Sequence, residues 1–138
     1  MVNEGDRQES VKFGLLTRAQ ALVKYTLQIT ANEKVFKPEY QRGLTDDINS
    51  AAKTIFLSAF EANSIWVEDD SDIRRRRAKQ KEALVACDRL LALMEIAYSV
   101  FHLKAKRIKY WGTKTVDVKH RLRAWISSDA KRYGENRL

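Results

Sequence analysis

A chain of 138 residues, 44% hydrophobic and 32% charged, is one domain in length and can bury a core. Five glycines, one proline and one cysteine exclude an all-β sandwich, an internal disulfide framework and a cysteine-based zinc site. The net charge of +8 lies at one end: residues 104–138 hold 11 Lys or Arg against 3 Asp or Glu, while residues 1–103 hold 15 of each. Such asymmetry points to a polyanionic partner, or to an acidic patch on another protein.

Residues 1–10, MVNEGDRQES, are polar and lack the apolar stretch of a secretion signal. They read as a disordered tail, and a reducing cytoplasm is the expected compartment. The first predicted helix spans Val11 to Ala31. Leu15, Ala19, Leu22, Thr26 and Ile29 follow the helical period, and Leu16, Val23 and Leu27 form a second apolar row. Asn32 is a C-terminal stop. Pro38 suits a first helical turn, where its missing N–H costs nothing.

The second predicted helix starts at Pro38 or at Thr45 and ends near Trp66. Gly43 makes its start ambiguous, and Thr45 is a candidate cap followed by Asp46 and Asp47. Leu44, Ile48, Ala51, Ile55, Ser58 and Ala62 form its inward line, flanked by Ala52, Phe56 and Ala59. So many small residues imply a close neighbouring helix.

An acidic link, VEDDS, leads into a third helix predicted from Asp72 to Phe101, with Asp70 or Ser71 as its cap. Leu84, Cys87, Leu91, Met94, Tyr98 and Phe101 recur at alternating spacings of three and four, with Ala83, Leu90 and Ala97 on one flank. Extended backwards, this line meets Ile73, Arg77 and Gln80, so the first two turns are expected to overhang the core. After a turn at His102–Lys106, a fourth helix is predicted from Ala105 to Lys131. Ile108, Trp111, Thr115, Val118, Leu122 and Trp125 form the cleanest heptad in the chain. Four amphipathic helices with short links predict an all-α, antiparallel up-down-up-down four-helix bundle over residues 11–132, with 133–138 as a frayed tail. No run is apolar enough for a membrane span.

Two basic clusters are candidate nucleic-acid-binding surfaces. On the fourth helix, Arg107, Lys114 and Arg121 share one row about 10.5 Å apart. Lys106, Lys109, Lys119 and Arg123 widen that stripe, which suits phosphate contacts and counterion release. The second cluster is Arg74, Arg75, Arg76 and Arg77. Four successive helical residues wrap the circumference, so binding competes with local compensation through Asp70–Arg74 and Asp72–Arg76 pairs. Trp111 and Trp125 fall on the heptad and belong to the core. Tyr110 stays open as a base-stacking residue.

No catalytic set, metal site or cofactor site is expected. A helical ribonuclease of the HEPN type needs an arginine five to seven residues before a histidine; Glu95, Ile96 and Ala97 precede His102, and Thr113, Lys114 and Thr115 precede His120. Cys87 lies on the core line as a small hydrophobe. There is no phosphate-binding loop and no Glu-x-x-His pairing of a di-iron bundle.

Three stretches carry a family resemblance. FKPEYQRGLTDDINSAAKTIFLSAFEAN (36–63), with Arg42-Gly43-Leu44-Thr45 and Glu61-Ala62-Asn63, resembles the second helix of a bacterial four-helix-bundle family. That family includes the proteins of 23S ribosomal RNA intervening sequences and Avd, the accessory variability determinant of diversity-generating retroelements. CDRLLALMEIAYSV (87–100) is similar to the family's third helix, and YWGTKTVDVKHRLRAWISSD (110–129) to the Avd-type fourth. The resemblance implies a non-enzymatic protein that binds RNA or DNA, works with a reverse transcriptase in mutagenic retrohoming, and assembles as a homo-oligomer, a basic pentamer. The alternative is a structural bundle protein whose basic helix docks an acidic protein partner.

Overall fold

The computed structural model describes the backbone of residues 4–134 and the side chains of residues 14–134. Four helices form: α1 (Glu4–Thr30), α2 (Asp46–Ser64), α3 (Asp70–Val100) and α4 (Ala105–Tyr133). They pack in the cyclic order α1–α2–α3–α4 as an antiparallel four-helix bundle, with no strand among the described residues. α1 begins at Glu4 rather than Val11, so the stretch expected as a tail is helical from residue 4. Residues 1–3 of that tail and 135–138 of the C-terminal one lie outside the described residues. α4 runs to Tyr133 and stops at Gly134, which takes a positive φ of 80°.

The inward lines of α1, α2 and α4 match the periodicity. Leu15, Ala19, Leu22, Thr26 and Ile29 are buried, as are Leu44, Ile48, Ala51, Ile55, Ser58 and Ala62. Trp111, Thr115, Val118, Leu122 and Trp125 follow suit, with Ile108 half-buried against them. Trp111 donates its indole N–H to Thr26 Oγ1 at 3.0 Å, which ties α4 to α1. At the same end, Phe36 meets Phe101 in a tilted pair at 4.8 Å, Tyr40 meets Phe101 at 5.8 Å and Trp111 lies 6.3 Å from Phe36. These contacts fix the α1–α2 link against the α3–α4 turn.

The register of α3 differs from the sequence reading. Its buried line is Ala83, Cys87, Leu90, Met94, Ala97 and Phe101. Leu84 and Leu91 are only half-buried at its flank, and Tyr98 is 44% exposed. The reason is size. α2 contributes Ala51, Ala52, Ala59 and Ala62 to the core, and its most extensive packing is with α3. Close approach of the two backbones selects the alanine-bearing row of α3 over the bulkier leucine row. Traced backwards, the true line meets Ile73, Arg76 and Gln80, all buried. The first turns of α3 therefore lie on the core instead of overhanging it, and Arg76 takes the place expected for Arg77.

Helix starts also depart from expectation. Thr45 does not cap α2: its side chain makes no cap hydrogen bond and its backbone is already helical. A 3-10 turn (Pro38–Tyr40) and a π-helical turn (Gln41–Thr45) lead straight into α2 instead. α3 is capped by Asp69, not Asp70 or Ser71; its carboxylate accepts the Asp72 N–H at 2.9 Å. The Asp72 carboxylate in turn accepts the Glu68 N–H at 3.0 Å, which, with a bond from Arg75, holds its pKa below the ordinary carboxylate value. At the other end of α3, His102 takes a positive φ of 54°, where glycine is usual, and Leu103 N–H bonds back to Tyr98 O at 3.3 Å. That reversal turns the chain into α4 within four residues, Phe101–Lys104.

Candidate nucleic-acid interface

Burial of Trp111, Val118, Leu122 and Trp125 fixes the rotation of α4, and so decides where each cation of that helix stands. Lys106, Arg107, Lys109 and Arg123 are exposed, and none has an acidic partner among the described residues. The other three stripe residues are engaged. Lys119 is paired with Asp88 of α3. Arg121 binds Asp117 at 3.2 Å, and Asp117 also lies 3.4 Å from Arg18 of α1. The Arg121 guanidinium rests over Gly14, where an added Cβ would meet it at 3.1 Å. Lys114 is half-buried, its ammonium 4.9 Å from the Tyr110 ring centre and 5.8 Å from that of Tyr25. The row Arg107–Lys114–Arg121 thus borders α1 rather than facing water along its length.

The free cations concentrate at the start of α4. Lys104 precedes the helix without a side-chain cap, and the first turn carries Lys106 and Arg107 and no acid. The N-terminal end of a helix is its positive pole, where cations cost stability by roughly 0.3–1 kcal/mol each. α2 and α3 obey the opposite rule, with Asp46 and Asp47, and Asp70 and Asp72, in their first turns. Next to these cations, Tyr25 and Tyr110 meet edge to face at 5.2 Å and an angle of 68°. They and Lys104, Lys106 and Arg107 line an open cleft of about 380 Å³. Burial raises the Tyr25 pKa, opposed by the nearby Arg107 guanidinium, so the phenol stays neutral across the ordinary pH range. Lys34 and Lys104 border an adjoining hollow beside His102. Neither lysine stood out in the sequence, because one lies in the first link and the other in the second turn.

The Arg74–Arg77 cluster is not a surface unit. Arg74 is exposed, and Arg75 is exposed and bonded to Asp72 at 2.9 Å, so the expected Asp72–Arg76 pair does not form. Arg77 is half-buried, with one guanidinium nitrogen 3.3 Å from Ile126 O. Arg76 points inward: Nε lies 2.6 Å from Asp129 Oδ2 and an Nη 3.0 Å from Oδ1, a bidentate pair that is 5% and 3% exposed. Gln80 donates to the same carboxylate at 2.8 Å, and the Arg76 guanidinium stands 5.1 Å from the Trp125 ring. Arg76 therefore cannot reach a phosphate without stranding Asp129. The cluster also sits near the end of α4, about 33 Å along the helix from Arg107, so the two predicted surfaces do not meet.

Among the described residues, no group of His, Cys, Asp or Glu could hold a metal ion, and no helix is long and apolar enough to cross a membrane. Cys87 is buried, and desolvation pushes its thiol pKa up to about 12, far from a nucleophile's range. No protein-family model, curated protein or solved structure matches the chain.

Proposed function

We propose that this is a non-enzymatic bundle protein that binds nucleic-acid backbone through the cations at the start of α4. The observation that carries this reading is their placement: Lys106, Arg107 and Lys109 have no acidic partner among the described residues and stand at the positive pole of a helix, where folding alone favours acids. A cost tolerated in the fold is explained by a gain elsewhere, and phosphates supply it. The motif resemblance in the second, third and fourth helices supports a more specific role, as an accessory to the reverse transcriptase of a retroelement.

A pair of variants separates function from folding. Lys106→Glu puts an acid in the first turn of α4 and should raise the urea midpoint, in line with roughly 0.3–1 kcal/mol per dipole charge. The same change should weaken binding to labelled DNA and RNA in anisotropy titrations. Lys106, Arg107 and Lys109 changed together to Ala should flatten log affinity against log salt by about 0.9 per lost contact on duplex DNA, or about 0.7 on a single strand. Unaltered affinity and salt slope in both variants would refute the reading. In a second reading the same basic helix docks an acidic protein partner, through the exposed Lys106, Arg107 and Lys109. A reverse transcriptase co-purifying with the variants as it does with the parent would assign that contact to a surface other than α4.

A further inference from the structure

Backbone contacts require cations, yet the cleft at the start of α4 offers more than cations. Two of its five lining residues are tyrosines, Tyr25 and Tyr110, and its walls are mainly apolar. Tyr110 is 54% exposed, so core packing does not account for it. Its ring is nevertheless held: Tyr25 meets it edge to face at 5.2 Å, and the Lys114 ammonium lies 4.9 Å from its centre. A large aromatic surface that is exposed and already oriented loses little freedom when something flat lies on it. Lys104, Lys106 and Arg107 line the same cleft and bring positive charge beside that surface.

We infer that the cleft takes an unpaired base of a single-stranded nucleic acid, stacked on Tyr110, with the flanking phosphates on Lys106 and Arg107. This rests on the backbone-binding reading and names the substrate class of the same site. Bases are planar and have π-faces whatever their sequence, so Tyr110 adds affinity without base-edge readout. In a duplex those faces are occupied by neighbouring base pairs, and only the phosphates remain for the protein. The start of α4 therefore discriminates single strands from duplexes by ring contact, and the cations contribute to both.

The test compares three probes of equal length: a thymidine strand, the same strand with abasic sugars, and a duplex. The parent should bind the thymidine strand about 5- to 100-fold more tightly than the abasic one, since both carry the same phosphates and differ by the stacked base. Tyr110→Ala should remove that preference and leave duplex affinity within about twofold, because the phosphate contacts are untouched. Tyr110→Phe should retain the preference, since the ring remains. The abasic comparison uses the parent alone and holds even if a variant fails to fold. Equal parent affinity for thymidine and abasic strands would overturn the stacking inference, while salt-dependent binding of both would leave the backbone reading standing. Equal losses on strand and duplex in Tyr110→Ala would overturn it as well. A parent that binds none of the probes, or binds a polyglutamate peptide as tightly as the strand, would overturn both readings.

Discussion

Arg76 and Asp129 each look like surface residues in the sequence, and each is buried in the bundle. Their bidentate geometry, the bond from Gln80 and the Trp125 ring beside the guanidinium replace the water that both charges have lost. Removing one partner is then the costly change. Asp129→Ala should destabilise by about 3–5 kcal/mol in urea melts, because it leaves an uncompensated buried cation. Arg76→Met combined with Asp129→Leu should recover most of that loss, since an apolar pair of similar volume needs no compensation. A double variant as unstable as Asp129→Ala would show that the pair itself, and not the stranded charge, sets the cost. The pair is hard to see in the sequence because apolar residues mark the periodicity and a charge is ordinarily exterior. It leaves a trace all the same: Arg76 and Gln80 continue the line of Ala83 and Cys87, and Asp129 lies four residues beyond Trp125.

The inward lines of α1, α2 and α4 were legible residue by residue, because each has one apolar row much stronger than any other. α3 has two adjacent rows of similar strength, Ala83–Leu90–Ala97 and Leu84–Leu91–Tyr98, and both share Cys87, Met94 and Phe101. Apolar content favours the second row; helix proximity favours the first. The choice lies in the alanines of α2, a different part of the chain. Leu90→Ala should accordingly cost about 2–5 kcal/mol through transfer and cavity terms, and Leu91→Ala clearly less. Equal losses in urea melts would mean that the two rows are equally buried. Helix starts were the least legible feature. Asp69, Asp70 and Ser71 are all good caps by residue type, and the choice of Asp69 follows from its extended backbone, φ −144° and ψ 179°. The basic stripe was legible as composition but not as geometry, since the partners that engage Lys119 and Arg121 include residues on α3 and α1.

At the scale of the whole molecule, two surfaces stand out. The start of α4 carries four closely spaced cations, Lys104, Lys106, Arg107 and Lys109, while the side of the bundle formed by α1 and α2 exposes Leu27, Leu57 and Phe60 and half-exposes Leu16, Val23 and Phe56. Part of this is the second apolar row of the first helix, of which Leu16 packs against the core while Leu27 stays 45% exposed. We propose that a second copy of the chain covers it, and the family resemblance implies a pentamer. A closed ring requires a head-to-tail contact between different surfaces of adjacent copies. Light scattering at micromolar concentration should give a mass near five chains, and Phe60→Lys with Leu27→Lys should yield monomers that remain helical. A monomeric parent would exclude assembly through this face.

The two ends of the bundle are closed by different chemistry. One is sealed by the rings of Phe36, Tyr40, Phe101 and Trp111; the other by the Arg76–Asp129–Gln80 clasp, beside which Asn63 Oδ1, Gln80 Oε1 and Trp125 Nε1 find no hydrogen-bond partner among the described residues and an open polar hollow of about 280 Å³ lies against Arg76. Unequal closure means unequal opening: amide protons in the first turns of α3 and the last turns of α4 should exchange with solvent ahead of those around Phe101 and Trp111 as urea is raised. Fraying then proceeds from one pole of the molecule, and the cations at the start of α4 sit at the opposite pole, on the part of the chain that lets go last.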